Sequence, residues 1–447
     1  MSFAYQQKAI VNMSSDASSS LPIGSTRGWM VVGLTIVAVG ISLVFWWVLR
    51  GQAYDPDSKH YIAIAEGRIA EVHKPFTSRL LQPAIAGGIS RATGLSLDTS
   101  FFLTNLVSLV VLTSIGLILV LSQVRSVWLA AAIVVSPLIF GRFREIYLPD
   151  CMHAAIAAIF FLLLVRGARL FATPLLFFLQ VIRESTALLT FVTCIVAVYH
   201  RKWKLAAGAA LFTVLGMVVV GRYASQGQGN IHNMNTVVYL VTKVPFNFFT
   251  NVCGVCIWTD THAKNDPEAY PNEPVWKHDL PTWVPTGSTR QVGVYKLDPS
   301  VPLAHLRFML TTLGVMPSVV LAVLLARRRQ LLRDDAISEV GLIALVYGTL
   351  AFLMSPILGT SVGRYLTYAW PLAWIAAPEL VRRYFGVDER LITKLAWLQV
   401  TASWISLALL QRGVSDVPRN LVAIVVAGVC HVVAFKMMRQ QPIAAAA

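Results

Sequence analysis

Long apolar runs with almost no charged residues recur along this 447-residue chain, and they constrain its fold more than any other feature. A helix of about 20 apolar residues is long enough to cross the hydrocarbon core of a bilayer. Hydrophobic residues make up 56% of the chain and charged residues only 13%, with a mean hydropathy of +0.64. Because a soluble domain does not have this composition, the sequence predicts an all-α, polytopic integral membrane protein.

About twelve apolar segments have the length and hydropathy expected of membrane helices. They lie at 29–50, 98–121, 127–140, 151–166, 170–182, 185–199, 205–221, 303–326, 337–356, 366–381, 392–411 and 419–436. A shorter run at 80–93 contains Pro83, Gly87 and Gly88, and we interpret it as a juxtamembrane or re-entrant helix. The sequence therefore predicts about 11–13 transmembrane helices, with juxtamembrane helices in the first outer loop.

These segments also predict how the chain is divided. Two transmembrane modules are expected, an N-terminal catalytic one at 29–221 that includes a first outer loop (51–97), and a C-terminal one at 303–436. The ends, at 1–28 and 437–447, are predicted to be cytoplasmic tails, and the Ser-rich first tail is predicted to be disordered. The outer loop at 222–302 opens with an interfacial or re-entrant aromatic stretch and continues with turn-forming residues that show no periodicity.

Cations are distributed unevenly between alternate turns when the N-terminus is placed in the cytoplasm. The cytoplasmic turns then contain Arg125, Arg166, Arg169, HRKWK (200–204), RRRQLLR (327–333), the basic stretch 382–394, Lys436 and Arg439. The short outer turns at 141–150, 183–184, 357–365 and 412–418 contain fewer cations, as the positive-inside rule requires. Much of the formal charge of +15 is thus anchoring charge and does not indicate nucleic acid binding. The first outer loop is basic against this rule, which favours an anionic ligand there.

Two predicted hairpins, 127–166 and 170–199, have arms too short to cross the bilayer. Arms of about 13–16 residues reach roughly 20–24 Å at 1.5 Å per residue, whereas the hydrocarbon core is about 30 Å thick. The charged tips at 141–150 and 183–184 would then lie below the outer surface. Charged residues at that depth require a protein-lined or wet cavity. The sequence therefore predicts an outward-facing cavity floored by these two tips.

The first outer loop contains YDPDSKHY, in which Asp55 and Asp57 lie on either side of Pro56. A general base must be ionised and able to reach a substrate hydroxyl. Asp57 precedes a short amphipathic segment (58–71), so it is a candidate base and also a candidate N-cap, and the two roles are compatible. For Asp55 a cap or solvated position is favoured, and it is kept as a second candidate base.

Basic residues from several parts of the chain are predicted to meet on the outer side. Because Arg binds phosphate oxygens through two N–H groups, these residues suit a phosphate leaving group. The candidates are Lys74, Arg79, Arg144, Arg183 and Arg364. A solvated or headgroup-facing position is favoured for Lys74. An ion pair with Glu184 or Glu145 is the alternative for Arg183, and an interfacial anchor is the alternative for Arg364.

Two acidic residues, Glu145 and Asp150, lie in the turn GRFREIYLPD. They are candidates to orient an acceptor or to bind a divalent cation, and because a metal needs more oxygen ligands than the sequence assigns, the metal stays an open alternative. Capping of the helix that follows is favoured over metal binding for Asp150. His153 is predicted to be a hydrogen-bonded core residue.

Taken together, these residues resemble the membrane-embedded glycosyltransferases of the GT-C superfamily, which use polyprenyl-phosphate sugars. The likeness consists of DSKHY (57–61), PFTSRLLQPAIA (75–86), the LPD that ends at Asp150, VIRES with Arg183 and Glu184, and GRYLTYAWPL with Arg364. It covers the N-terminal half of the chain well and the C-terminal half at one point.

The resemblance implies a GT-C-like fold and an inverting sugar transfer. In this reaction Asp57, with Asp55 in reserve, would deprotonate a hydroxyl of a glycan or glycolipid acceptor while the cations hold the lipid phosphate that leaves. Tyr61, His73, Glu145, Asp150 and Glu184 become candidates for orienting the acceptor. The chain lacks the second adjacent acidic pair of metal-dependent members, so no metal cofactor is implied. The expected location is a bacterial inner membrane, with membrane lipids as partners and the site facing the periplasm.

Two other functions are compatible with many spans and outward charges. A secondary transporter also has broken helices and ionisable residues within the membrane, but no inverted repeat is visible and the acidic residues gather in outer loops. A lipid-linked glycan polymerase or ligase would share the outer arginines and large outer loop, and would differ in taking an oligosaccharide donor.

Overall fold

The computed structural model describes residues 26–49, 57–124, 126–136, 138–139, 143, 145–230, 236–259, 275–279, 292–331, 337–359, 362–384 and 388–440. Two predicted site residues, Asp55 and Arg144, lie outside these ranges. The two predicted tails also lie almost wholly outside them.

The N-terminal half is helical, with one short strand in the first outer loop. Its α-helices are α1 (Thr26–Leu49), α2 (Ser58–Ala65), α3 (Leu81–Thr93), α4 (Leu97–Leu121), α5 (Val127–Val134), α6 (Asp150–Val165), α7 (Arg169–Ala172), α8 (Leu175–Ile182), α9 (Thr186–Tyr199) and α10 (Trp203–Ala224). Between α2 and α3, the loop forms 3-10 turns at Ile69–Glu71 and Phe76–Ser78 and the strand β1 (His73–Lys74).

The C-terminal half adds further helices and the strands of the outer loop. The helices are α11 (Thr236–Cys253), α12 (Ser300–Thr311), α13 (Met316–Leu331), α14 (Glu339–Leu358), α15 (Val362–Leu366), α16 (Ala377–Tyr384), α17 (Glu389–Gln411) and α18 (Asp416–Gln440). A 3-10 turn (Thr367–Ala369) and a π-helical turn (Leu372–Ala376) connect α15 to α16. The strands are β2 (Gln228–Asn230), β3 (Val255–Thr259), β4 (Val275–Asp279) and β5 (Val292–Leu297).

Several helices meet the requirements of a membrane span. Within the described ranges, six are long and apolar enough to cross a bilayer: α1, α4, α10, α14, α17 and α18. A seventh span is obtained if α12 and α13 are taken together, although they are bent by 73°. Gly314, with a φ of +62°, lies in the break between them, a backbone conformation that glycine adopts without strain. The prediction of a helical, polytopic membrane protein is confirmed.

The remaining predicted segments are shorter or interrupted. The helix α6 has 16 residues and α9 has 14, so they extend about 24 Å and 21 Å at 1.5 Å per residue. Between them, α7 and α8 are separated at Thr173 and Pro174. The prediction of abbreviated hairpin arms is therefore confirmed by the helix bounds, and these arms account for part of the difference between the predicted 11–13 spans and the long helices present.

Strands occur in the outer loop, where the sequence predicted an interfacial or re-entrant stretch followed by turns. β3, β5 and β4 form a three-stranded antiparallel sheet, with Val255 opposite Leu297 and Val275 opposite Lys296. The aromatic stretch before β3 forms α11, which carries Pro245 inside it. Side-chain amides of Asn247 and Asn251 donate to carbonyl oxygens at the end of α14, at 2.8–2.9 Å. These bonds attach the beginning of the outer loop to the helix bundle.

Two apolar clusters form the core. The larger one lies between α4, α6, α14 and the segment around Trp374, which is fully buried. The smaller one lies under the first outer loop and includes Tyr61, Phe76, Phe101 and Val181. Phe101 belongs to α4 and Val181 to α8. This second cluster therefore holds the first loop against α4 and against the end of α8. The loop is thereby placed over the tips that the sequence analysis identified.

Close packing at Gly116 provides a test of the core. A Cβ atom at this position would overlap the ring of Trp374, whereas at Gly33 in α1 it would meet nothing within 4 Å. We expect Gly116→Ala to lower the free energy of unfolding by about 1–3 kcal/mol, since an overpacked core must shift. Gly33→Ala is the matched control and should be neutral or stabilising, because Ala favours helix. Unfolding in mixed micelles measures both, and equal stability of the two variants would contradict this packing.

Candidate active site

Charged side chains from four distant parts of the chain meet beside the first outer loop. Asp57 and Arg79 come from that loop, Asp150 from the start of α6, Arg183 from the end of α8, and Arg364 from α15. Glu184, Tyr61 and Tyr368 complete the group. These eight residues are called the charged cluster below. The structure thus brings six of the predicted site residues that it describes, Asp57, Arg79, Asp150, Arg183, Glu184 and Arg364, together in one place.

Asp150 lies at the centre of the charged cluster. Its carboxylate accepts hydrogen bonds from Nη1 of Arg183 and the hydroxyl of Tyr368. Its Oδ2 lies 2.6 Å from Nε of Arg364. Asp150 is the first residue of α6, where the helix dipole stabilises a negative charge. The N-cap is Pro149, so the alternative that Asp150 caps this helix is wrong.

Arg183 is enclosed by these partners and by aromatic rings. Its guanidinium carbon lies 4.8 Å from the ring centroid of Tyr368 and 5.7 Å from that of Tyr365. Such contacts stabilise a cation over a ring face. The ion pairs with Glu184 or Glu145 that the sequence left open for Arg183 are replaced by the pair with Asp150. Arg183 is thus a fully buried cation with a fully buried counter-charge.

A second ion pair lies next to the first. Nη2 and Nε of Arg79 donate to the two carboxylate oxygens of Glu184 at 2.6 and 3.1 Å, a bidentate arrangement. Nη1 of Arg79 donates to the hydroxyl of Tyr61 at 2.9 Å. Burial raises the pKa of Tyr61, although Arg79 opposes the shift, so the phenol stays neutral. Arg79 is buried, whereas 45% of the Glu184 side chain is exposed.

Asp57 lies at the accessible edge of the charged cluster. Its Oδ2 is 3.8 Å from Nη1 of Arg364, and 32% of its side chain is exposed, compared with 4% for Asp150. Asp57 occupies the N-cap position of α2, but its side chain makes no capping hydrogen bond. Arg364 therefore lies between a buried carboxylate and an accessible one. Since its side chain is only 16% exposed, the alternative of a membrane-interface anchor does not describe it.

The charged cluster is balanced and layered. Arg79, Arg183 and Arg364 face the carboxylates of Asp57, Asp150 and Glu184. Asp150 and Arg183 form the inner layer, and Asp57 and Glu184 form the outer one. Such an arrangement fixes the orientation of Arg364 from within and leaves a carboxylate at the edge, where a hydroxyl group can approach.

The other predicted site residues lie around this centre. Lys74 is exposed on β1, as the sequence favoured, and His73 is half-buried on the same strand, with its ring centroid 6.0 Å from that of His60. Glu145 is half-buried in the turn before α6. His153 is buried, with Nε2 3.1 Å from the hydroxyl of Thr186, which confirms the prediction of a hydrogen-bonded core histidine.

Sequence reasoning missed Tyr368. The signal available was its spacing, because Tyr368 follows Arg364 by four residues and thus lies on the same face of a helix. Only Arg364 of GRYLTYAWPL was a predicted site residue, whereas Tyr368 is also buried against Asp150.

His60 is a buried, uncharged aromatic residue of the first loop. Its ring stacks on Phe76 with centroids 4.3 Å apart. Burial lowers the pKa of His60 to about 4, and the charges of Lys59 and His73 add to this. His60 is therefore neutral at physiological pH.

The described residues contain no group of three or more His, Cys, Asp and Glu side chains arranged to hold a metal ion. The carboxylates of Asp57, Asp150 and Glu184 each lie beside an arginine instead. No step below is assigned to a metal.

Comparisons with known proteins give one similar structure. No protein-family profile matches the chain, and no curated protein matches it. Among solved structures, the chain is similar to that described as ArnT from Cupriavidus metallidurans bound to undecaprenyl phosphate. The two share 12% identity with a TM-score of 0.41, over 92% of this chain and 77% of that chain. At these values the similarity assigns neither residues nor substrate to the present chain.

Replacing Asp150 tests whether the charged cluster depends on it. Asp150→Asn keeps the shape but leaves Arg183 and Arg364 without their buried counter-charge. We expect this variant to lose about 3–5 kcal/mol of unfolding free energy, the usual cost of breaking a buried ion pair. Glu66→Gln, which removes an exposed partner of Arg68, is the control and should change stability by less than about 1 kcal/mol. Similar losses in both variants would contradict the central role of Asp150.

Proposed function

We propose that this protein is an integral-membrane, inverting glycosyltransferase of the GT-C type. It would move a sugar from a polyprenyl-phosphate donor to a hydroxyl group of a glycan or glycolipid acceptor. The observation that supports this best is the position of Arg364, between the buried carboxylate of Asp150 and the accessible carboxylate of Asp57. A candidate base and an oriented cation are thus adjacent, as transfer from a phosphate requires.

Asp57 is the proposed general base. It is accessible, and its carboxylate is not used to cap α2. In the proposed reaction, Asp57 takes the proton of the acceptor hydroxyl as the oxygen forms a bond to the anomeric carbon. The bond from that carbon to the phosphate oxygen breaks, and the electron pair leaves with the polyprenyl phosphate. Asp55 is kept as the reserve base from the sequence.

Arg364 is the proposed contact for the donor phosphate. Asp150 holds its Nε, so the guanidinium is oriented before the substrate binds. A preorganised cation stabilises the negative charge that grows on the leaving phosphate. Arg79 and Arg183 lie behind it and are each paired with a carboxylate, so we assign them a supporting role. Lys74 and Arg144 remain candidates for further contacts to the oxygens of the donor phosphate.

The acceptor side is proposed to be lined by the outer layer of the charged cluster. Glu184 is accessible and lies beside Ser78, at 3.3 Å. Tyr61 is fully buried and acts on Arg79, so it is a positioning residue in this scheme. His73 on β1 and Glu145 in the turn before α6 are kept as candidates for orienting the acceptor, and Asp150 orients Arg364. The charge asymmetry of the turns supports a periplasmic site in a bacterial inner membrane.

A secondary transporter is the second candidate, because the 73° break between α12 and α13 is a feature of transporter spans. A transporter would move its substrate unchanged, whereas a glycosyltransferase consumes the lipid-linked donor. A lipid-linked glycan polymerase or ligase would consume an oligosaccharide donor instead of a monosaccharide donor.

Asp57→Asn tests the proposed base. In membranes supplied with polyprenyl-phosphate monosaccharides, we expect release of polyprenyl phosphate to fall by about 10²–10⁴-fold, the usual contribution of a general base. Expression should be unchanged. Glu71→Gln is the control, since Glu71 is an exposed carboxylate of the same loop paired with Arg68. Full activity of Asp57→Asn, with Asp55→Asn also active, would refute the proposed base, whereas no release of polyprenyl phosphate by wild type would favour a transporter.

Arg364→Ala tests the proposed phosphate contact. Loss of a charge-assisted hydrogen bond is expected to raise the KM for the lipid-linked donor by about tenfold or more. Arg364→Lys should restore part of the affinity, because it keeps the charge without the planar fork. Arg68→Ala, which changes an exposed arginine of the first loop, is the control. An unchanged KM in Arg364→Ala would remove this residue from the phosphate site.

A further inference from the structure

A second pair of buried arginines lies on helices that do not form the charged cluster. Arg307 on α12 is 9% exposed, and Arg419 on α18 is 6% exposed. The helices α12 and α18 pack against each other, so the two guanidinium groups repel one another, and the carboxylate of Asp416 opposes this repulsion. Two like charges buried together are unfavourable unless an anion neutralises them.

The hydrogen bonds of these arginines are incomplete within the described part of the protein. Nη1 of Arg307 donates to the hydroxyl of Ser406 on α17 at 3.2 Å, but its Nε is buried and makes no hydrogen bond. Nη2 of Arg419 donates to Asp416, whereas its Nε and Nη1 are buried without an acceptor. Asn420 is fully buried, and its side-chain Nδ2 and Oδ1 also make no hydrogen bond within the described residues. Buried polar groups of this kind usually have a partner.

The local charge favours an anion. Among the described residues, Asp416 is the carboxylate paired with Arg419, and 54% of its side chain is exposed, so solvent weakens its effect. Arg419 lies in the first turn of α18, where the helix dipole adds positive potential. Two guanidinium groups with unpaired N–H donors suit a phosphate group, which offers several oxygens in different directions.

The surroundings indicate that the phosphate is carried by a lipid. Exposed aliphatic side chains flank the arginines on each of the three helices: Leu306 on α12, Ile405 on α17, and Val417 and Leu421 on α18. Exposed side chains of this type on membrane helices face lipid. A soluble anion would have to reach the site past this apolar rim, whereas a lipid headgroup lies at its border.

We propose that Arg307 and Arg419, with Ser406 and Asn420, form a second anion site that binds the phosphate of an anionic membrane lipid. It is formed by residues other than those of the donor phosphate contact at Arg364. A Cβ atom at Gly363 would lie 3.0 Å from the ring of Phe308, so α12 packs closely on the helix that bears Arg364. A lipid bound at Arg307 would thus be held by a helix adjacent to the candidate active site. The inference does not depend on the reaction proposed above.

The test measures the thermal unfolding midpoint of the purified protein in a neutral detergent. Dioctanoyl phosphatidylglycerol is added to wild type, to Arg419→Gln and to Arg364→Gln, with dioctanoylglycerol as the uncharged control. We expect the anionic lipid to raise the midpoint of wild type and of Arg364→Gln. In Arg419→Gln, the concentration for half the effect should rise by at least about tenfold. Arg412→Gln removes an exposed cation just before α18 and should behave as wild type.

Each contrary outcome overturns the inference in a distinct way. No effect of phosphatidylglycerol on wild type beyond that of dioctanoylglycerol would exclude the site, whether or not Arg419→Gln folds. An equal rise of the unfolding midpoint with inorganic phosphate would show that the site binds a soluble anion and not a lipid headgroup. Loss of the effect in Arg364→Gln with retention in Arg419→Gln would assign the lipid to the charged cluster. An equal loss in Arg412→Gln and Arg419→Gln would indicate attraction by surface charge alone.

Discussion

The buried carboxylate of Asp150 is the interaction on which the arrangement of the outer side depends. It joins α6 to Arg183, 33 residues away, and to Arg364, 214 residues away. Removing such charges from water is unfavourable, and their mutual attraction offsets this only when the geometry is good. The three segments are thus held in one relative position, because any separation would leave a charge buried alone. Packing of α4 against α6 then transmits this position to the rest of the bundle.

The short hairpins make this arrangement possible. The helices α6 and α9 are too short to cross the bilayer. The start of α6 and the turn between α8 and α9 therefore lie below the outer surface, at the depth of the charged cluster. Full-length spans would place Arg183 and Asp150 in headgroup water, where an ion pair contributes little. The first loop covers them through the apolar cluster around Tyr61 and Phe76. Helix length, burial and the strength of the ion pairs are therefore linked.

The sequence predicted the helical segments and the group of residues that converge, but not how they pair. Apolar periods and run lengths are local, so α4, α9 and α14 begin and end within a few residues of the predicted bounds. The prediction that Asp57, Asp150, Arg183 and Arg364 share one side of the membrane followed from the positive-inside rule. This rule also uses only local information, the charge of each turn. The pairing of Arg79 with Glu184 and of Arg183 with Asp150 depends on tertiary geometry, and neighbouring residues in the sequence were the wrong partners. The strands β3 to β5 were missed because their pairing joins segments that are far apart in the sequence, which local patterns do not reveal.

The brevity of α9 also affects the lipid around the protein. Leu170 and Phe171 on α7 and Phe191 and Ile195 on α9 have exposed side chains, so these helices border the bilayer directly. A hydrophobic surface of roughly 21 Å along α9 beside a core of about 30 Å produces mismatch, which the membrane relieves by thinning locally. Headgroups next to the hairpins would then sink toward the mid-plane. A lipid-borne phosphate could reach the depth of Arg364 without being pulled out of its leaflet.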